Sequence, residues 1–200
     1  MTRTQTAVAI YLALSFVYTL QAQKPLQTYD VFMKEKKIGK IEVFEQQNES
    51  QTIRELKTES DAKVLAFAVH VESDVKVRKQ KKVLIEGTAY RHASRGPDDV
   101  HAHTKLTATQ YEREQNGKKS AVAAKEITFC VVDLYFEEPK GLTKLFSNMY
   151  ADFMTVKASG NGRYEVKSPD KKTTYYTYKN GQLMTIEAET PAGSVISKRQ

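Results

Sequence analysis

Between Val64 and Arg78 the chain alternates with a period of two. Leu65, Phe67, Val69, Val71, Val75 and Val77, with Ser73 among them, fall on one side, and Ala66, Ala68, His70, Glu72, Asp74, Lys76 and Arg78 on the other. Successive side chains of a strand point to opposite faces, so this rhythm predicts a long antiparallel strand with one packed and one mostly wet face. A helix would scatter the same residues round its whole circumference.

Shorter extended segments surround it. Tyr29 to Lys34 and Ile38 to Gln46 are joined through Lys36-Lys37, and Thr52 to Thr58 follows a polar stretch. Val83 to His92 pairs back across Lys79-Gln80-Lys81, and Val100 to Tyr111 follows the turn Arg95-Gly96-Pro97-Asp98. Ala121 to Val132, Phe153 to Lys157, Gly162 to Lys167, Thr173 to Lys179, Gln182 to Glu189 and Ser194 to Lys198 complete the set. Asn116-Gly117 and Asn180-Gly181 are the strongest hairpin signals, because a type I′ turn needs positive φ at both central residues. In Thr173 to Lys179, Tyr176 and Tyr178 share one face and Tyr175 takes the other, a ladder that stabilises cross-strand pairs.

One segment departs from this rhythm. Leu142, Leu145, Phe146, Met149 and Tyr150 recur at helical spacing after Glu138-Pro139, and Phe153 extends the stripe. This predicts one amphipathic helix of about three turns packed on the sheet. Asp133, Glu137 and Glu138 then read as acidic residues complementing the dipole at its N-terminal end. The expected fold is mainly β: a strongly curved antiparallel sheet, or an open or closed β-barrel, of about ten strands carrying that helix. No internal repeat or linker divides the chain.

The first residues carry a different signal. Arg3 precedes the apolar run Ala7 to Leu20, and Ala22-Gln23 offers a small-residue cleavage point. That is the layout of a secretory signal peptide, with a run shorter than the roughly 20 residues that span a bilayer. Residues 1–22 are therefore expected to be removed and 23–200 to form one exported, periplasmic or extracellular domain, not transmembrane after cleavage. The lone Cys130 sits in Ile127-Thr-Phe-Cys-Val-Val132 and cannot close an internal disulfide; it reads as a small buried hydrophobe.

The formal net charge of +7 becomes +6 once Arg3 is removed (7 − 1). The excess gathers at turns: Lys34/Lys36/Lys37, Arg78/Lys79/Lys81/Lys82, Lys118/Lys119 and Lys171/Lys172. Lysines at strand ends keep a sheet soluble, and they can also meet anionic headgroups. Acidic residues separate the clusters and no recognition helix appears, so nucleic acid is excluded as a partner.

Chemistry-bearing residues are sparse. His101 and His103 lie two apart on one strand, and hairpin pairing brings His92 opposite one of them. Three imidazoles on one face can hold a transition metal such as zinc, although Lys105, Thr107 and Thr109 mark the same face as solvated. His70 falls on the wet face of its strand. Gly160-Asn-Gly162 is a turn, not a phosphate loop, because no helix start follows it. No nucleophile elbow, metalloprotease helix, Walker loop or C-x-x-C is present, and no cofactor is called for. Asn48-Glu49-Ser50 fits an N-glycosylation acceptor.

Lys37-Ile38-Gly39-Lys40-Ile41, Asp133-Leu-Tyr-Phe-Glu-Glu-Pro139 and Tyr176-Thr-Tyr178-Lys-Asn-Gly181 give the chain a likeness over most of its exported length. On these residues it resembles the uncharacterised secreted β-rich families of Bacteroidota known as domains of unknown function, which imply no activity. The expected layout also resembles periplasmic lipoprotein-carrier half-barrels, whose concave sheet holds acyl chains. The leading expectation is a non-catalytic extracytoplasmic protein holding a lipid or other hydrophobic small molecule, lined by Leu142, Leu145, Phe146, Met149, Tyr150, Phe67 and Val69. The alternatives are a cell-envelope module contacting a partner protein, and a metal protein using His92, His101 and His103.

Overall fold

The computed structural model describes residues 23–64, 67–95, 99–190 and 193–200. The expected signal peptide, Leu65-Ala66 of the expected long strand and the Gly96–Asp98 part of the expected turn lie outside them. The described residues form fourteen strands in one antiparallel sheet, ordered β8-β7-β6-β5-β4-β3-β2-β1-β14-β13-β12-β11-β10-β9. One arm runs β1 (Gln27–Met33), β2 (Lys36–Gln47), β3 (Gln51–Val64), β4 (Phe67–Gln80), β5 (Val83–Ala93), β6 (Val100–Leu106), β7 (Tyr111–Gln115) and β8 (Lys118–Val122). The other runs β9 (Lys144–Ser147), β10 (Asp152–Gly160), β11 (Arg163–Lys167), β12 (Thr173–Lys179), β13 (Gln182–Thr190) and β14 (Gly193–Arg199). Each arm is a meander, and the pairing of β1 with β14 joins them. Among the described residues no helix is long and apolar enough to cross a membrane.

The sheet curls without closing. A short 3-10 turn, Val131–Tyr135, packs against β3, β4, β9 and β13. β3 and β9 are eight places apart in the strand order, about 38 Å in a flat sheet at roughly 4.8 Å per strand. A five-residue turn reaches both only because the sheet wraps round it.

The expected helix at Leu142 to Tyr150 is absent. In its place stand a turn at Gly141, the short strand β9, a tight turn over residues 148–151 and the start of β10. Leu145, Phe146 and Ser147 are all buried although they alternate in direction, because β9 lies between the sheet and the central segment. The Phe146 N–H donates to the Phe129 carbonyl at 2.9 Å, and Cys130 bridges Phe146 in parallel. Apolar residues on both sides of a short strand, followed by a tight turn, mimic helical spacing, and a tertiary backbone partner decided between them. Two further expectations shift. The strand expected to reach Val132 stops at Val122, beyond which the chain leaves the sheet for the interior, and β7 emerges within the stretch after Leu106.

The interior is filled from both sides. Tyr29, Val43, Val77, Leu84, Val166 and Leu183 of the sheet enclose Ile127, Val132 and Leu134 of the central segment. Tyr176 and Tyr178 of the tyrosine ladder are buried on the inner face. Tyr178 donates to the Leu134 carbonyl at 2.6 Å, and the Tyr29 ring meets Tyr135 edge-on at 5.4 Å.

Backbone groups of the central segment and side chains of β7 span the gap between the arms. The Leu84 N–H of β5 donates to the Ile127 carbonyl at 2.8 Å. On β7, Arg113 donates to the Ala151 carbonyl and Gln115 to that of Met149 at 3.0 Å. The 148–151 turn seats on Gly87, where a Cβ would stand 1.9 Å from Asn148 Nδ2. Gly87→Ala is therefore expected to lower stability by about 1–3 kcal/mol in urea denaturation, through overpacking against the buried Asn148. Adding Asn148→Ala should recover part of that loss.

Candidate functional site

The inward row of β4 changes character along its length. Val77 is fully buried, Val75, Ser73, Val71 and Val69 are half-buried, and Phe67 is 52% exposed. Their ladder neighbours are small: Ala62 opposite Val69, Ser60 and Ala93 on either side of Val71. Val69 and Val71 therefore keep part of their surface open at the outer end of the row, whereas Ser73 has Arg91 beside it and Val75 has Leu56. Met149 marks where cover ends, packing with Val75 and Val100 on the Ala89, Ala102 and Ala151 cluster. Beyond it, Tyr150 donates to Asp170 Oδ1 at 3.0 Å. Burial pushes the Asp170 carboxyl up, but hydrogen bonds from Lys172, Ser168 and Tyr150 outweigh it and hold it at about 2. At the far tip the Arg95 guanidinium lies 4.6 Å over the Phe67 ring.

The residues expected to line a ligand site therefore separate. Phe67 and Val69 lie on the uncovered row and Met149 abuts its inner end. Tyr150 is tied to Asp170, Leu142 is half-buried in the turn before β9, and Leu145 and Phe146 belong to the packed core.

At the other end of β4 sits a group that the hydrophobic pattern passed over. Asp133, fully buried, accepts hydrogen bonds from Arg54 Nη1 at 2.7 Å, from Lys79 Nζ, and from the Cys130 N–H at 2.7 Å. Lys79 also donates to the Thr128 carbonyl at 2.8 Å, and Arg54 Nε to Glu45 at 2.9 Å while stacking 4.2 Å over Phe136. Asp133 is thus a buried anchor and not the helix-terminal charge expected. A sequence signal existed: Arg54 shares the inward phase of Leu56, and Lys79 that of Val77. Burial and Asp133 push the Cys130 thiol up, so it stays protonated and unreactive.

The three histidines do share the outer face. Register, however, sets Tyr90 opposite His101 and Thr88 opposite His103. His92 Nδ1 meets the Asp99 carboxylate at 2.9 Å, His103 Nε2 meets Glu86 at 3.0 Å, and His101 packs on the Tyr90 ring at 5.1 Å. Each imidazole has its own partner, and among the described residues no three His, Cys, Asp or Glu side chains converge as a metal set. His70 is raised chiefly by its hydrogen bond to Asp61. The same face carries a shallow polar hollow of 590 Å³ bordered by Glu55, Asp74, Tyr90 and His101. There Asp74 is pushed up to about 6, first by burial and then by the neighbouring Glu55 carboxylate.

The described residues thus form one curled antiparallel sheet with a filled centre and one partly exposed apolar row on β4. The chain belongs to the DUF6134 family, a domain of unknown function, whose pattern matches residues 29–200. No curated protein matches it. A crystal structure of a DUF1089 family protein from Pseudomonas aeruginosa is similar at 10% identity, with a TM-score of 0.35 over 72% of this chain and 87% of that one.

Two outcomes are expected. Asp133→Asn should cost about 3–5 kcal/mol in equilibrium unfolding, because Arg54 and Lys79 are left in the interior without their shared counter-charge. Asp74 titrates higher in the folded state than in the unfolded one, so what its protonated form contributes is lost as pH rises through about 6. Asp74→Asn should therefore raise the urea midpoint at about pH 8 and leave it nearly unchanged at about pH 4.

Proposed function

We propose that this chain is an exported, non-catalytic binding protein that lays a hydrophobic ligand, such as a lipid acyl chain, along the uncovered row Phe67–Val75 beside Met149. The observation that carries this reading is the gradient on one strand face, from the fully buried Val77 to the 52% exposed Phe67. An apolar row that continues a core into the open gains free energy whenever a chain covers it, about 0.8 kcal/mol for each methylene buried. Arg95 at the tip supplies a cation for an anionic end group, and the leader sequence at residues 1–22 supports an extracytoplasmic setting.

A second reading rests on β8. Its outer edge has no strand partner among the described residues, and Lys118 to Ala121 are exposed, so an envelope protein could add a strand there. Lysines on that edge oppose such pairing, which ranks this reading second.

The deciding measurement is mass spectrometry of protein purified without detergent. Wild-type protein is expected to carry lipid and Val71→Gln to carry little, with both folded by circular dichroism. Lipid-free wild type, or equal loading of the two, would sink the proposal.

A further inference from the structure

The end of the sheet opposite the apolar row holds a second, larger hollow. A groove of 810 Å³ runs between the β2–β3 turn and the β4–β5 turn, with Phe129 and Phe136 on its floor, both half-buried. Its inner end is occupied by the ion group already described: Arg54 is satisfied by Glu45, Asp133 and Glu137, and Lys79 by Asp133 and Thr128. Its lip is different. Lys81 and Lys82 form the β4–β5 turn and make no ion pair or side-chain hydrogen bond among the described residues.

The geometry of that turn makes the pair unusual. Lys81 has φ 48° and Lys82 φ 70°, the two left-handed positions of a type I′ turn. The chain meets this demand elsewhere with Asn116-Gly117, Asn161-Gly162 and Asn180-Gly181. A lysine has neither glycine's freedom nor asparagine's short polar side chain to ease the conformation, which costs about 1 kcal/mol per residue. The β1–β2 turn, Lys34-Glu35, carries the same strain, but there the two charges are opposite and the turn does not border this groove. At Lys81-Lys82 two consecutive lysines, with no ion pair among the described residues, border the same groove as Phe129 and Phe136.

We propose that this groove binds an anionic amphiphile, with a phosphate-type head on Lys81 and Lys82 and the first carbons of its chain against Phe129 and Phe136. Two adjacent ammonium groups suit the several oxygens of one phosphate, each contact being charge-assisted. The half-exposed rings give the attached carbons apolar surface that water does not. The site is independent of the row on β4 and lies at the other end of that strand. A soluble phosphate ester and a bilayer lipid share this head chemistry.

Isothermal titration with octyl phosphate and with inorganic phosphate tests the assignment. Octyl phosphate should bind wild-type protein at least about tenfold more tightly than inorganic phosphate, because only it reaches the rings. Lys81→Asn/Lys82→Gly keeps the turn and relieves its strain, so it should hold or raise the melting temperature while weakening octyl phosphate binding at least about tenfold. The matched change Lys34→Asn/Glu35→Gly should leave binding unaltered, as should Val71→Gln, which separates this groove from the apolar row. Cosedimentation with phosphatidylglycerol vesicles, but not phosphatidylcholine vesicles, lost in the Lys81/Lys82 variant, would assign the head to a membrane lipid. Octyl phosphate binding without cosedimentation would assign it to a soluble ester. Unchanged binding in the Lys81/Lys82 variant, equal affinity for the two phosphates, or binding of neither overturns the proposal.

Discussion

The burial of Asp133 between Arg54 and Lys79 is the constraint on which the rest of the structure depends. A sheet of this width must either expose its inner face or wrap something, and here it wraps its own chain. The segment that enters the interior carries backbone amides and carbonyls that the strand ladders do not serve. Asp133 gives that segment a fixed attachment, receiving charge from β3 and β4 and a backbone N–H from its own turn. A buried carboxylate is tolerated because its partners are complete, and removing any one leaves a charge where water cannot reach it. Tyr178 and Lys79 then donate to the carbonyls of Leu134 and Thr128, and the Ile127 N–H donates to Tyr111 Oη, so the filling is held by polar bonds as well as by packing.

A second constraint follows from the first. Once the sheet has curled, the far parts of its two arms approach without sharing a ladder, and the gap is bridged by local devices. Gly87 provides the hollow that admits Asn148, Ala89 and Ala102 leave room for Ala151, and Arg113 and Gln115 reach across to carbonyls of the same turn. Small residues on one arm and a tight turn on the other form a seam. The seam covers the inner face only as far as Met149, and that is why the remaining valines of β4 stay open. The uncovered row and the closed core are consequences of one geometry.

The two proposed contact regions differ in kind. The β4 row is apolar and bounded by a single cation, while the groove beside the 3-10 turn joins two aromatic rings to a strained lysine pair. They lie at opposite ends of the same strand, the second beside the buried ion group. The fully buried Val77 lies between them, so each end of the strand meets solvent separately.

The residues that could be read in advance were those whose fate is decided locally. Alternation from Val64 to Arg78 predicted a strand and its two faces, which β4 forms from Phe67 while Val64 closes β3; the Asn-Gly pairs predicted hairpins, and the shared face of Tyr176 and Tyr178 agrees with their burial. Lys79 and Arg54 sat in the apolar phase of their strands and could have announced a buried partner; Asp133, far along the chain, could not be matched to them without the fold. The stripe from Leu142 to Tyr150 was ambiguous for a physical reason. A two-sided strand followed by a tight turn buries the same residues as a helix, and only the Phe129 carbonyl, supplied from the interior, selects the strand. Likewise the shared face of His92, His101 and His103 follows from parity, but their partners follow from register, which one residue of loop length shifts. Chain order and side-chain period determined which residues are extended and which side each faces. Tertiary structure alone decided what covers each face, because cover comes from segments distant in sequence whose backbone hydrogen bonds and charges must be satisfied together.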